Sequence, residues 1–453
     1  MVLSARRPAR AGGRDAEPIY SLPMKFAVVT FGCRVNQADS FALERGLRAA
    51  GGSPAAVEAA DLVVVNSCSV TASADQGTRQ AIRRLARTNA GARIVATGCY
   101  ASRAAAEVAA LPGVVAVVPN AEKEALAERI LDMAETTTAE RFGAGDGACG
   151  APTRPGERGR TAYTLRVQTG CDEACAYCII PSTRGRGRSV PPARVLDEVG
   201  EAVGAGYQEL QLTGVHLGSY GRDLTPPSSL VALLEALAAH PADFLVRMSS
   251  LEPMDCTPEV VELATTSPRF APHFHLPLQH ASDAVLRRMR RPYTAAAYRD
   301  VVADIRRRLP HAAIGTDLVV GFPGETDADA AATVGFLEGS PLTYLHVFPY
   351  SDRPGTEASG MPGKVHGRRI RERARAVRAA GGALAARFRA AQVGSVRPGL
   401  TLAQGGGTVV LTDNYLRVRV PVERPENERV RVRITAAGET MAGEIVAAAG
   451  EAG

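Results

Sequence analysis

The sequence predicts a multidomain α/β protein: an N-terminal parallel α/β domain, a partial (βα)6 barrel and a small C-terminal β-barrel. Three observations predict it. Residues Lys25 to about Ala134 alternate short β-branched runs with helical stretches, the pattern of a parallel sheet with crossover helices. From Ala162 six further strand-helix units follow, enough for most of a barrel. Beyond about Val393 the texture changes to short strands joined by Gly-rich turns, an all-β pattern. At 453 residues the chain also exceeds what one hydrophobic core organises, so several domains are required.

Taken in order, residues 1–23 carry Arg6, Arg7, Arg10 and Arg14 but no apolar stretch long enough for a signal-peptide core, and are expected to form a disordered extension. Met24 directly precedes the first strand-like run and is a candidate start; the intact mass of natively expressed protein decides between Met1 and Met24. The N-terminal domain, 24–135, has FAVVTFG, DLVVVNS and RIVATG as strands, with a helix around Asp39 to Ala50. Residues 136–160, rich in Gly, Thr, Ala and charge without periodicity, read as a linker. The barrel, 161–391, takes YTLRVQ, QELQLTG, FLVRMSS, HFHLPL, AIGTDLVV and LTYLHVF as strands, separated by amphipathic segments such as SLVALLEALAAH. It ends in a basic helix. The β domain, 392–453, contains GTVVLTD, YLRVRVPV, RVRVRIT and MAGEIV.

Composition narrows the class. A hydrophobic content of 45% with 22% charged residues is that of an ordinary globular protein. No apolar run approaches the roughly 20 residues of a membrane helix. The net charge of +6 and pI near 9.0 permit a nucleic-acid partner without establishing one. Basic residues cluster at Arg184, Arg186, Arg188 and Arg194, at Arg287, Arg288, Arg290 and Arg291, and between Lys364 and Arg389, where nine face one acidic residue. Each cluster is equally compatible with a solvated helix face or loop. Eight cysteines without a secretory signal point to a reducing, cytoplasmic compartment and to metal chemistry rather than disulfides.

Cys171, Cys175 and Cys178 stand as CxxxCxxC directly after a strand, close enough for three thiolates to meet one cluster. Three ligands leave a 4Fe-4S cluster one open iron, which can take a substrate's amino and carboxylate groups. A zinc site completed by a distant histidine, or unrelated buried cysteines, remain open on spacing alone. Cys33, Cys68 and Cys99 lie 35 and 31 residues apart, each just after a hydrophobic strand. Side chains beyond the carboxyl ends of neighbouring parallel strands converge on one crevice, so these thiols can share a ligand. Gly32 and Gly98 permit the sharp turns this needs. Inert buried cysteines are the competing reading. Cys149 and Cys256 read as structural.

The first triad, with Tyr177 before its third cysteine, resembles the radical S-adenosylmethionine (SAM) superfamily, in which that aromatic residue lies against the adenine. The resemblance implies that the open iron binds SAM and that an electron from the cluster cleaves it to a 5'-deoxyadenosyl radical, inside a barrel mouth that excludes water. Candidate cofactor contacts on the strand ends are Thr213, Gly214, Ser249, Glu252, Gln279, Asp317 and the turn GFPGE from Gly321 to Glu325, each equally open to packing or turn roles. GCRVN at Gly32 to Asn36, NSCSVT at Asn66 to Thr71 and TGCY ending at Tyr100 resemble the N-terminal domain of methylthiotransferases. That likeness implies a second, auxiliary 4Fe-4S cluster on Cys33, Cys68 and Cys99, whose open iron carries the sulfur inserted into a C–H bond. It covers nearly the whole chain from Lys25, ending in a domain similar to the RNA-binding TRAM module.

That module is not basic here, with seven arginines and seven acidic residues from Val393, so attraction to phosphate must be local. Tyr415 and Arg417 are its candidate RNA contacts, beside Arg184, Arg186 and Arg188 in the barrel. The segments GCRVNQADS, LTGVHLGSYG, LHVFPYSDRPGT and TDNYLRV look closest to the bacterial type, often called MtaB, that acts on N6-threonylcarbamoyladenosine in tRNA. Relatives act on prenylated adenosine in tRNA or on an aspartate of a ribosomal protein. A threonylcarbamoyl carboxylate would suit a rim with Arg184, Arg186 and Arg188. The expected partners are tRNA, a reducing electron donor and a sulfur donor. Two segments depart from the family pattern: His280 and Ala281 replace a Ser-Gly pair in LPLQHASD, and STRGRG follows the triad where Tyr-Ala-Arg-Gly is usual.

Overall fold

The computed structural model describes residues 24–132, 154–156, 161–404 and 407–446. The expected extension, most of the linker and Cys149 lie outside the described residues. Five parallel strands form the N-terminal sheet: β1 (Lys25–Thr30), β2 (Ser53–Pro54), β3 (Leu62–Ser67), β4 (Arg93–Gly98) and β5 (Val114–Val118), in the order β2-β1-β3-β4-β5. Every residue of β3 is buried, as a central strand covered on both faces must be. Its period of two feeds two cores. Leu62 and Val64 pack with Phe26 and with Leu43 and Leu47 of the helix Arg34–Ala49; Val63 and Val65 pack with Ile94 and with Ile82 of the helix Ala72–Thr88 on the other face. The edge strands β2 and β5 were not among the expected runs.

The second domain contains β6 (Ala162–Arg166), a short ribbon of β7 (Gln168–Thr169) and β8 (Arg188–Ser189), then β9 (Glu209–Thr213), β10 (Leu245–Met248), β11 (His273–His275), β12 (Ala313–Val320) and β13 (Tyr344–Pro349). Parallel pairing gives β6-β9-β10 and β11-β12-β13, and the bridges Val246 to Phe270 and Ser250 to His275 join the halves. The six strands expected from the sequence thus form one arc. Four of its helices start on hydroxyl caps: Ser229, Thr257, Thr294 and Thr326 each accept a backbone N–H from the first turn.

The polarity of this arc is inverted relative to a packed barrel. Leu210, Leu212, Val246, Met248, Phe274, Ile314, Leu318 and Val320 face outward into the core beneath the helices. The alternate positions, Glu209, Thr213, Arg247, Ser249, His273, His275, Asp317, Tyr344 and His346, therefore face inward. A strand pattern that is apolar outside and polar inside encloses a chamber rather than a core.

The C-terminal domain is a closed barrel, β14-β15-β16-β18-β17, built from β14 (Val396–Gln404), β15 (Gly407–Thr412), β16 (Arg417–Val420), β17 (Arg429–Ala436) and β18 (Met441–Val446). Val410, Val418, Val432, Ile434 and Met441 fill it. β14, which carries Pro398 and Gly399 and was not expected, closes the ring by pairing with both β15 and β17. The basic helix, Gly367–Ala391, packs Ala374, Val377, Gly381 and Leu384 inward. Two of its arginines tie it to the second domain: Arg369 and Arg373 pair with Asp327, and Arg373 also reaches Glu325 at 3.3 Å. No helix among the described residues is long and apolar enough to cross a membrane.

The turn between β15 and β16 enters the base of the chamber. Arg247, fully buried, makes a two-pronged pair with Glu209 (2.8 and 2.9 Å) and donates to the carbonyl of Asp413 at 2.8 Å. An ion pair taken out of water is only as good as its geometry, and removing one partner leaves the other charged and unsolvated. Arg247→Met is expected to destabilise the protein by about 3–5 kcal/mol in urea unfolding. Arg247→Met combined with Glu209→Leu should recover part of the loss, the remainder reporting the severed contact to Asp413.

Candidate functional site

The strand ends of the N-terminal sheet carry the first thiol triad. Cys33 precedes the helix Arg34–Ala49, Cys68 follows β3, and Cys99 opens the helix Cys99–Arg103 after β4. Gly98 has φ +97°, and a Cβ there would lie 2.2 Å from the Ser67 carbonyl; one on Gly32, φ +96°, would lie 2.6 Å from the Cys68 sulfur. Both turns therefore require glycine. The asparagines of the two motifs lock the loops. Asn36 donates to the carbonyls of Phe31 and Ser67 at 2.8 and 2.9 Å, and Asn66 donates to the carbonyl of Asn36 at 2.7 Å. Asn120 reaches the Cys99 sulfur at 3.5 Å and the Thr183 carbonyl at 3.0 Å.

The second triad sits on the loop after β7. Gly170, φ +73°, makes the entry turn, since a Cβ would lie 1.9 Å from the Arg186 carbonyl. The backbone N–H groups of Cys171 and Cys178 donate to the carbonyls of Gly185 and Cys175, both at 3.1 Å. Arg291 donates to the Cys175 sulfur at 3.2 Å and pairs with Glu252. His216 lies 2.7 Å from Asp255. Burial opposes the imidazolium charge, but Asp255 and the Cys171 sulfur prevail and hold the ring up to about 10. Burial pushes the Cys68 thiol up to about 11 and Cys178 to about 12, and raises Cys175 as well despite Arg291. Thiols so enclosed become ligands only where a cationic centre offsets the cost of the buried thiolate. Two sets of three soft donors, each set on loops of one domain, would suit iron-sulfur clusters.

Among the other expected contacts, Tyr177 stands edge-on to Phe322 with centroids 6.5 Å apart, and burial raises its phenol well above the ordinary range. Burial likewise raises the Glu252 carboxyl despite Arg291. Thr213 is buried, and the turn at Gly214 is held by Gln168, which accepts from the amides of Val215 and His216 at 2.9 Å. Ser249 is buried with its hydroxyl unpartnered among the described residues. Gln279, φ +67°, exchanges backbone bonds with β12, and Asp317 lies 3.1 Å from His275 Nε2, beside His346. The structure thus groups Asp317 with two histidines of the inner wall. In the GFPGE turn Glu325 accepts from the amides of Gly321 and Phe322 and meets Arg373, a structural role. His280, one of the departures, is buried 3.8 Å from Glu325.

One expected RNA contact is corrected, and a second is relocated. Arg184 is buried: Nη2 meets Asp39 at 3.0 Å and Asn36, and Nη1 donates to Thr169 at 3.1 Å. Its local cluster suggested a solvent-facing arginine, but the N-terminal domain covers it. Tyr415, φ +68°, lies inside the chamber, 4.5 Å from the His273 ring and under the Arg247 guanidinium, because the turn that carries it docks onto the barrel base. Arg186, Arg188 and Arg417 are exposed.

The radical SAM superfamily model matches residues 165–337, and the model described as Uncharacterized protein family UPF0004 matches residues 25–119. Over 344 residues the chain is 36% identical to the threonylcarbamoyladenosine tRNA methylthiotransferase MtaB of Bacillus subtilis, covering 74% of this chain and 75% of that one. The chain belongs to the radical SAM methylthiotransferase family. Members with other names are as similar. The ribosomal protein uS12 methylthiotransferase RimO of Salinispora tropica is 34% identical over 455 residues (90% of this chain, 87% of that one). The tRNA-2-methylthio-N(6)-dimethylallyladenosine synthase of Anaeromyxobacter dehalogenans is 37% identical over 369 residues (79% and 78%). Among solved structures, the radical SAM methyltransferase TsrM of Kitasatospora setae shares the fold, with TM-score 0.55 at 16% identity over 74% of this chain and 75% of that one. As a radical SAM methylthiotransferase, the protein is an enzyme that works with SAM and 4Fe-4S clusters.

In this methylthiotransferase, Asp39 joins the two thiol-bearing domains. Its carboxylate meets Lys123 at 2.9 Å, Arg184 at 3.0 Å and Arg166 at 3.4 Å. Burial disfavours its charge, but these three cations outweigh burial and hold the carboxyl at about 2, below its ordinary 3.8. A depressed carboxyl stabilises the fold above its unfolded value and loses that contribution as pH falls through the folded one. Asp39→Asn is expected to lower stability by about 3–5 kcal/mol near neutral pH. The gap between variant and wild type should close as pH drops from about 4 towards 2 in urea titrations.

Proposed function

We propose that this methylthiotransferase modifies tRNA, placing a methylthio group on C2 of N6-threonylcarbamoyladenosine next to the anticodon, at adenosine 37. The observation that carries the division of labour is the placement of Arg184. It follows Cys178 by six residues, yet it is buried against Asp39 and Asn36 of the domain that carries Cys33, Cys68 and Cys99. The two triads therefore address one shared space. In this reading Cys171, Cys175 and Cys178 hold the cluster that binds SAM, and Cys33, Cys68 and Cys99 hold the auxiliary cluster. When bound, SAM and the clusters supply a carbon radical, a methyl group and sulfur.

The chain's own residues position and protect. Arg291 donates to Cys175 and pairs with Glu252, fixing one side of the radical-generating site, while Asp255 orients His216. Tyr177 against Phe322 provides an enclosed aromatic wall for a purine. The polar inner face of the strand arc takes the reacting nucleoside and limits its exposure to water. Exposed Arg186, Arg188, Arg371, Arg375 and Arg417 offer phosphate contacts that position the tRNA without reading sequence. A reducing electron donor and a sulfur donor complete the turnover.

A mass-spectrometric nucleoside profile of bulk tRNA, with and without the gene, tests the substrate. Loss of the methylthio form of threonylcarbamoyladenosine alone is expected. Loss of the methylthio prenyl form, or labelled methyl appearing in ribosomal protein, would assign one of the other substrates. Cys171→Ala, Cys175→Ala or Cys178→Ala should abolish 5'-deoxyadenosine formation by the reconstituted enzyme. Cys33→Ala, Cys68→Ala or Cys99→Ala should retain it but stop methylthiolation; equal loss in both sets would refute the division.

A further inference from the structure

On the inner wall of the chamber, β11, β12 and β13 are in register, with His275 opposite Gly315, Gly315 opposite Tyr344, and Asp317 opposite His346. Gly315 leaves the space that the Tyr344 ring fills, since a Cβ there would lie 2.0 Å from that ring. Ser250 and the Nδ1 of His275 lie 2.8 Å apart, and His275 Nε2 is 3.1 Å from Asp317. His346 and, two residues on, Phe348 are exposed, so this wall is reachable from solvent.

Arg34, immediately after Cys33, reaches across to this wall from the N-terminal domain. Its Nη2 donates to the Tyr415 hydroxyl at 3.3 Å, and Tyr415 in turn lies 4.5 Å from His273 and 6.1 Å from Tyr344. Its Nη1 is buried without a hydrogen-bond partner, and among the described residues no carboxylate pairs with it. Its positive charge acts on His273, Tyr344 and His346. A guanidinium held in place by one nitrogen, with the other buried and unanswered, is an incomplete fork, and a carboxylate completes it. Of the arginines first considered for this role, Arg184 is consumed by Asp39, Arg186 meets Asp172 on the surface, and Arg188 is exposed outside the inner wall.

We propose that Arg34, oriented by Tyr415, is the receptor for the free carboxylate of the amino-acid group carried by the substrate adenosine, with Asp317 accepting from that group's hydroxyl or N–H. This inference rests on the threonylcarbamoyladenosine reading above. Because Arg34 neighbours Cys33, the pendant group is pinned beside one triad while the purine extends towards the other. The subsite needs all three domains: the guanidinium from the first, the wall from the second and the orienting phenol from the third.

The test uses the full-length reconstituted enzyme and anticodon stem-loops whose threonylcarbamoyl group ends either in the acid or in the primary amide. Wild type is expected to prefer the acid by roughly 30-fold or more in kcat/KM, the cost of truncating one partner of a buried charge pair. Arg34→Gln should erase that preference, Arg34→Lys should restore part of it, and Tyr415→Phe should weaken it while leaving a preference for the acid. The acid-to-amide ratio is internal to each variant, so it does not depend on how much cluster a preparation carries. If Arg34→Gln and Arg34→Lys both keep the wild-type ratio, the Arg34 assignment is overturned and the substrate reading stands. If wild type ignores both stem-loops and modifies prenylated adenosine or ribosomal protein, the substrate reading falls and the subsite with it.

Discussion

The rest of this structure depends on one buried carboxylate meeting three cations. Asp39 belongs to the first domain, Arg166 and Arg184 to the second, and Lys123 to the segment that closes the first sheet. None of these groups is at home in a protein interior by itself, and each is tolerable only while the others are present. Two domains built around separate apolar cores are thereby held in one relative position, and Asn120, beside Lys123 in sequence, reaches the Cys99 sulfur.

A second contact works at the opposite edge of the arc. Arg353, in the loop after β13, donates to the carbonyl and hydroxyl of Ser69 at 2.7 and 2.8 Å and meets Asp75 at 2.7 Å, and Arg103 meets Asp75 from the other side. The N-terminal domain is thus fixed to β6 through Arg166 and to the far end of the arc through Arg353. Six strands do not close on themselves, and the neighbouring domain spans the gap. The chamber wall is therefore completed by the domain that presents Cys33, Cys68 and Cys99.

Local pattern made much of this legible. The alternation of β-branched runs with helices located the main parallel strands, and Cys33, Cys68 and Cys99 stand at strand ends as their spacing suggested, because spacing in sequence becomes spacing on a sheet edge when connections are regular. What was not legible depends on which surfaces meet. Arg184 lies in a run of arginines and glycines that looks like a phosphate-binding loop; only the docking of the helix Arg34–Ala49 buries it. Tyr415 follows Asn414 in a tight turn that looks like an RNA-facing tip, and the same turn serves as the base of the barrel once Arg247 receives it. Asn36 and Asn66 were visible within recognisable motifs, but their work, tying one cysteine loop to the next through carbonyls 30 residues away, is a tertiary property. His275, Tyr344 and His346 were hidden in runs that read as ordinary strands, since a polar residue on a short strand does not announce which side it faces.

The turn that carries Tyr415 has a consequence for how such chains evolve. A C-terminal module attached only by a tether could be exchanged between relatives as a cassette. Here it acts as a stopper: Asp413 and Tyr415 seal the lower end of the reaction chamber against Arg247, His273 and Tyr344. A foreign module would leave that opening to water unless its turn matched those three side chains. The module and the barrel base must therefore change together, since one ring, Tyr415, belongs to the first and packs within the second.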